Sequence, residues 1–190
     1  MKYPEYVEID NKRYKINTDF RVAIECNRIA QDETIGNLER ALAVIYTLFG
    51  EEGLNAYEHH EKLLELAKKY LLCGKEYIDT NDEPDMDYIE DMDYIEASFM
   101  SDFHIDLENE KMHWWKFSKL INGLSNSELG DCCVLNRIRN LRNYDTRDIK
   151  DSKERQKIEE AKQRVALHKK VATKEQEENA QELLRELGII

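Results

Sequence analysis

Apolar and polar residues alternate over 5–16. Tyr6-Val7-Glu8-Ile9 and Arg13-Tyr14-Lys15-Ile16 flank Asp10-Asn11-Lys12. Period-two alternation around an Asp-Asn pair predicts a β-hairpin with a tight turn. Two strands alone are marginal, so the hairpin must lean on helices. From Thr18 onward the period becomes helical. Thr18 or Asp19 caps a first helix bearing Phe20, Ala23, Ile24 and Ile29. Gly36-Asn37 separates it from a second helix, with Leu38, Ala41, Leu42, Ile45, Leu48 and Phe49, that ends near Gly50. A third opens at Asn55 with Glu58 as its capping-box partner, carries Leu63, Leu66, Ala67, Tyr70 and Leu71, and stops around Gly74.

The middle of the chain holds a tandem repeat. After a linker at 79–85, Asp-Met-Asp-Tyr-Ile-Glu occurs at 85–90 and again at 91–96. Six residues is no helical period: the copies lie about 240° apart on a helix and cannot share one face. The stripe that does hold together is Tyr88, Ile89, Met92, Ile95, Phe99, Met100 and Phe103. Tyr94 falls off this stripe, amid Asp87, Glu90 and Asp91, whereas Glu96 falls inside it. A carboxylate on a buried face needs a cationic partner. Arg139, in the nearest basic stretch, is the candidate.

His113-Trp114-Trp115 opens the next helix, on which Trp114, Phe117, Leu120, Ile121 and Leu124 share a face. Trp115 lies about 100° round from Trp114 and is either a second layer of core or an exposed anchor. Ser125 and Glu128 form a capping box for a helix bearing Val134, Leu135, Ile138 and Leu141. A long polar helix from about Asp148 to Lys170 and a short acidic one at about 174–187 close the chain.

Composition sharpens this picture. Seven Gly and two Pro in 190 residues are too few for the turns of a barrel or sandwich. The fold class is therefore mainly α, a multi-helix domain with a small N-terminal β-hairpin and a long C-terminal helix. The expected organisation is a helical domain over 1–145, with an acidic linker at about 76–86, and a C-terminal helical extension over 146–190. The formal charge is −12, which disfavours non-specific binding of nucleic acid or an anionic membrane. It is unevenly spread. Residues 76–110 hold fourteen Asp/Glu and no Lys/Arg, whereas 137–170 hold twelve Lys/Arg against six Asp/Glu. No apolar run reaches transmembrane length, and Met1-Lys2-Tyr3-Pro4-Glu5 has no apolar signal core, which leads to the expectation of a cytoplasmic protein.

Candidate chemistry is sparse. His59-His60 forms no H-E-x-x-H, and neighbouring helical residues diverge. Cys26, Cys73, Cys132 and Cys133 fit no zinc spacing and read as reduced, small apolar residues. The acidic run lacks the glycine of a calcium loop. There is no Gly-rich phosphate loop and no nucleophile elbow. Neither a cofactor, a metal nor an enzymatic activity is expected.

One resemblance goes further. Tyr94-Ile95-Glu96-Ala97-Ser98-Phe99, Phe103-His104-Ile105-Asp106-Leu107, His113-Trp114-Trp115-Lys116-Phe117, Leu120-Ile121-Asn122-Gly123-Leu124 and Ile138-Arg139 together resemble the gene-product-fifteen family of bacteriophages. So do the hairpin with Thr18-Asp19-Phe20-Arg21 and the segment around Lys162, Ala166 and Leu167. The likeness covers roughly residues 5–170, with the H-W-W-x-F block its most specific part. The family tends to carry an aromatic where Glu96 stands and Gly where His104 stands. The second position needs only a residue that tolerates left-handed backbone.

The resemblance implies a non-enzymatic phage or prophage tail assembly protein in the host bacterial cytoplasm. Such a protein acts as a chaperone for the tape measure and tail-tube proteins, with self-association a further possibility. Within the family-like motif, Trp114, Phe117, Phe99, Leu120 and Ile121 are expected as core. Trp115, Tyr94, Asp87, Glu90 and Asp91 are the candidate partner-binding residues, the aromatics supplying apolar area and the acids steering encounter. The rival reading is a nucleic-acid-binding or regulatory protein that uses the basic 137–170 helix.

Overall fold

The hairpin forms as the alternation predicts. In the computed structural model, which describes residues 3–76, 84–126 and 132–168, β1 (Tyr6–Ile9) pairs antiparallel with β2 (Lys12–Lys15) in the register Val7 opposite Tyr14. The two turn residues, Asp10 and Asn11, have φ of 50° and 63°. That is the left-handed pair a two-residue hairpin turn requires, and Asp and Asn tolerate it. Ile9, Tyr14 and Ile16 are buried on one side.

Asp19 caps α1 (Phe20–Ala30), its side chain accepting from the Arg21 N–H. α2 (Asn37–Leu54) does not end at Gly50 as the sequence suggested. It kinks there, at φ 67° and ψ −162°, a conformation open essentially only to glycine, and resumes to Leu54. Asn55 is consequently the C-cap of α2 rather than the start of the next helix. A 3₁₀ turn at Tyr57–His59 follows, and α3 (His60–Leu71) begins at His60. Buried Ala56 and a hydrogen bond from His60 Nε2 to the Leu54 carbonyl, 2.8 Å long, fix this turn.

α2 packs against both α1 and α3 and touches β2. Phe20, Ala23, Ile45, Leu48, Leu63 and Ala67 meet in the core. Burial of each larger side chain contributes about 1.5–3 kcal/mol. The buried Tyr14 hydroxyl donates to His59 Nδ1 at 2.6 Å, and His59 Nε2 stands 3.4 Å from Asp10, which also takes Lys62 at 2.8 Å. His59 is thus no bare surface residue: it ties the hairpin to α3.

The second unit, over residues 84–168, holds α4 (Met92–Phe103), α5 (Trp114–Asn122), α6 (Val134–Asn143) and α7 (Ser152–Arg164). The division between units falls at the acidic stretch, not between 145 and 146, because α7 packs on α6. His104 ends α4 at φ 56°, the left-handed backbone expected at this position. α5 starts where expected, and the start of α6 differs from expectation. His113 caps α5 through Nδ1, and the Cys133 thiol caps α6. Ser125 instead lies next to an isolated bridge between Asn126 and Cys132, while Glu128 lies outside the described residues. α7 is shorter than the predicted 148–170 because Asp151 caps it by accepting from the Lys153 and Glu154 N–H groups. The acidic helix predicted at 174–187 and most of the linker at 79–85 lie outside the described residues.

The architecture is mainly α with an N-terminal hairpin, as the sequence indicates. No described helix is long and apolar enough to cross a membrane.

Candidate partner-binding surface

The helical stripe of α4 meets that of α5 in a stack of rings. Phe99 and Phe117 lie 5.2 Å apart and Trp114 and Phe117 5.8 Å apart, both stacked, while Tyr88 meets the Trp114 edge at 5.6 Å. Each such pair adds about 0.5–1.5 kcal/mol beyond the area it buries. Phe99, Trp114, Phe117 and Ile121 are buried, as expected of them; Leu120 is half-buried. Trp115 is half-buried, its backbone N–H on His113 Nδ1 and its ring edge-on to the His113 ring.

The buried carboxylate of this unit is Asp91, not Glu96. Glu96 is exposed, and the expected Glu96–Arg139 pair does not form. Arg139 bonds Asp85 at 3.0 Å and Asn136 at 3.2 Å. Asp91 is 1% exposed and accepts two bonds from Arg142, at 2.6 and 2.7 Å. Arg142 also donates to the Asp85 carbonyl at 2.8 Å and to the Val165 carbonyl at 2.6 Å. The Asp91 hydrogen bonds raise the guanidinium's pKa further, against the effect of burial, with Tyr94 and Glu90 adding to it. One cation thereby joins the turn before α4, the α6 helix and the end of α7. An aspartate one position before a helix can turn back beneath it, whereas Glu96, about one turn into the helix, points outward.

The expected docking patch around Tyr94 changes accordingly. Tyr94 is half-buried on the Arg142 side of α4, not set on an open face. Asp91 is consumed by its ion pair. Asp87 folds the turn by accepting from the Ile89 and Glu90 N–H groups. Glu90 accepts from the His168 backbone N–H and contacts its ring. These groups are fixed in internal bonds, which makes them poor candidates for capture of a partner. What α4 does present is a row of Asp93, Glu96 and Met100, all exposed, with exposed Ile89 in the turn before it.

Other polar residues are equally committed to the fold. Buried Ser98 donates to the Tyr94 carbonyl and accepts from the Leu135 N–H, and buried Asn136 donates to the Leu124 and Ser125 carbonyls. An open groove of about 800 Å³ runs between the end of α4 and the start of α6, lined by Ser101, Asp102, Phe103, Cys132 and Arg137 among others. Asp102 is engaged there, accepting from the Ser125 N–H and the Ser101 hydroxyl. Burial and the neighbouring Cys133 push the Cys132 thiol up, against a smaller opposing effect of Arg137, so the thiolate is disfavoured. Within the basic stretch, Arg139, Arg142 and Arg147 each bond an aspartate. Three of the stretch's twelve cations are thereby paired within the unit.

Sequence reading missed Ser98 and Asn136, and placed Asp91 on a partner-binding surface rather than in a buried ion pair. A buried polar residue beside an apolar stripe has the same sequence signature as an exposed one. Only Asp91 carried a signal, its position at the helix start.

A family model described as Bacteriophage Gp15 protein matches residues 2–167 of the chain. No curated protein and no solved structure matches it.

Proposed function

We propose a role for this chain on one premise: it belongs to the bacteriophage Gp15 family. The role is that of a non-enzymatic tail assembly protein, a chaperone that binds the tape measure protein and the tail-tube protein in the host cytoplasm. The observation that carries the reading is the family match itself, which spans both units and their connecting segment.

The chemistry of the fold is compatible with binding rather than turnover. Asp91, Arg142, Ser98 and Asn136 satisfy one another or the backbone, and His59 bonds the Tyr14 hydroxyl. The residues left on the surface of α4 are carboxylates with apolar neighbours, a combination that suits an amphipathic helix bearing basic groups. The rival nucleic-acid reading is weakened by the arginine–aspartate pairs of the basic stretch, since a paired guanidinium has less to offer a phosphate.

The test is co-expression with the tape measure protein encoded by the same phage or prophage. The expected result is that the tape measure protein stays soluble and co-purifies with this chain only when both are made. Aggregation of the tape measure protein regardless of this chain, with none co-purifying, would overturn the proposal. A steep fall in DNA affinity with salt, in a filter-binding assay, would favour the rival.

A further inference from the structure

The outward face of α4 and the outward face of α7 carry opposite charges within one unit. On α4, Asp93, Glu96 and Met100 follow one another at helical spacing and are exposed, and Ile89, in the turn just before the helix, is exposed too. Neither Asp93 nor Glu96 makes an ion pair among the described residues. On α7, Ile158, Ala161 and Val165 are half-buried, and Lys153, Lys157 and Arg164 project from an exposed side, with Lys150 just ahead of the helix and Glu160 among them. α7 buries no residue fully.

We propose that two copies of this chain associate through these faces, α4 of one copy receiving α7 of the other. The argument is charge complementarity. Residues 76–110 hold no lysine or arginine at all, so the α4 row has no local cation to satisfy it. The most basic stretch of the same chain supplies a helix whose free lysines have the matching spacing. Run antiparallel, the helices bring Glu96 to Lys153 and Asp93 to Lys157, and set Met100 toward the half-buried Ile149. The Lys153 stem runs beside Met100 while the ammonium groups of Lys153 and Lys157 reach the carboxylates. Each copy offers both faces, so a two-fold pair makes the contact twice and closes on itself. Exposed ion pairs are individually weak, and the association is correspondingly weak and salt-sensitive. It does not depend on the phage reading: it concerns this chain alone.

Sedimentation velocity on the full chain tests it, beside three variants. In one, Asp93→Lys and Glu96→Lys reverse the acidic row. In the second, Lys153→Glu and Lys157→Glu reverse the basic one. The third combines all four changes. The expected result is a dimer at low ionic strength whose association weakens at least about tenfold as the Debye length contracts from about 30 Å to about 10 Å. Each two-residue reversal abolishes the dimer, and the four-residue swap restores it. All the altered residues are exposed, and circular dichroism checks that each variant is folded. A wild-type chain that stays monomeric at low salt overturns the proposal. So does a dimer that survives both reversals, because another surface then holds it. A folded pair of milder variants, Asp93→Asn with Glu96→Gln, that dimerises as well as wild type also overturns it.

Discussion

The two copies of Asp-Met-Asp-Tyr-Ile-Glu are identical in sequence and differ at nearly every position in what they do. Asp85 of the first makes a half-exposed pair with Arg139; Asp91 of the second makes a buried one with Arg142. Tyr88 packs edge-on to Trp114, whereas Tyr94 turns toward Arg142. Ile89 is 46% exposed and Ile95 is fully buried. Glu90 holds His168, whereas Glu96 faces solvent. The first copy folds as a turn and the second as the opening of α4, so equal residues meet unequal surroundings. Local sequence sets what a residue can do, and the element boundary and the 100° step per residue decide what it does.

The largest expected contrast is between the aspartates. Asp91→Ala leaves the Arg142 charge buried without its carboxylate and costs about 3–5 kcal/mol. Asp85→Ala removes a half-exposed pair and costs about 1 kcal/mol or less. Urea melts of the two variants measure this directly. Equal midpoints would break the contrast.

The tryptophans extend the comparison to neighbours on one helix. Trp114→Ala costs about 3–5 kcal/mol, because it removes a buried ring from the stack on which Tyr88 leans. Trp115→Ala costs clearly less, since its ring is only half-buried. A loss at Trp115 as large as that at Trp114 would show that its ring is core.

Between the isoleucines, Ile95→Ala costs about 2–5 kcal/mol by opening a cavity. Ile89→Ala stays within about 0.5 kcal/mol. Thermal denaturation followed by circular dichroism is sufficient to rank them.

A smaller effect, of opposite sign, belongs to the far end of α4. His104→Gly removes the strain of a left-handed histidine and stabilises the fold by about 0.5–1 kcal/mol. That gain is net of the His104 Nδ1 contact with the Met100 carbonyl at 3.1 Å. His104→Val, β-branched at a positive φ, destabilises it.

The smallest effect sharpens the difference between a buried and an exposed aspartate. Arg147 beside Asp145, through side-chain and backbone hydrogen bonds, holds that carboxyl at about 2, below its ordinary 3.8. A depressed carboxylate stabilises the folded chain fully above about 3.8 and loses that contribution as pH falls through about 2. Because the pair is fully exposed, the effect is to be read by carboxyl NMR titration and not by melting. Arg147→Ala returns the midpoint toward 3.8.

How far the sequence reveals this fold depends on the kind of signal. Strict periodicity was enough for the hairpin, the Asp19 cap and the α4–α5 aromatic face, because burial on one side imposes a repeat that sequence records. The caps of α5 and α6 were hidden because histidine and cysteine seldom serve there; their ring nitrogen and sulfur accept a hydrogen bond only once the backbone is in place. The kink at Gly50 was hidden because a glycine that ends a helix and one that bends it look alike until the following turn is seen to resume. The stripe placed Glu96 on the buried face and Asp91 on the open one, and the structure reverses both. A boundary shift of one residue rotates the whole helix face by about 100°. The sequence reading paired Glu96 with Arg139; the buried pair is Asp91 with Arg142, its carboxylate one position before the helix.

The Arg142 clamp also has a consequence for synthesis. Its partners lie at Asp85, Asp91 and Val165, on both sides of it in the chain. A ribosome adding about 5–20 residues per second leaves Asp91 waiting roughly 3–10 s before Arg142 is made. Throughout that interval the nascent α4 carries a carboxylate destined for burial with nothing to neutralise it. Its rings also stay uncovered until α6 follows. The second unit therefore cannot close progressively from its N-terminal end. It closes at a late step, when one guanidinium emerges, and a chain interrupted before Arg142 is left with an open core.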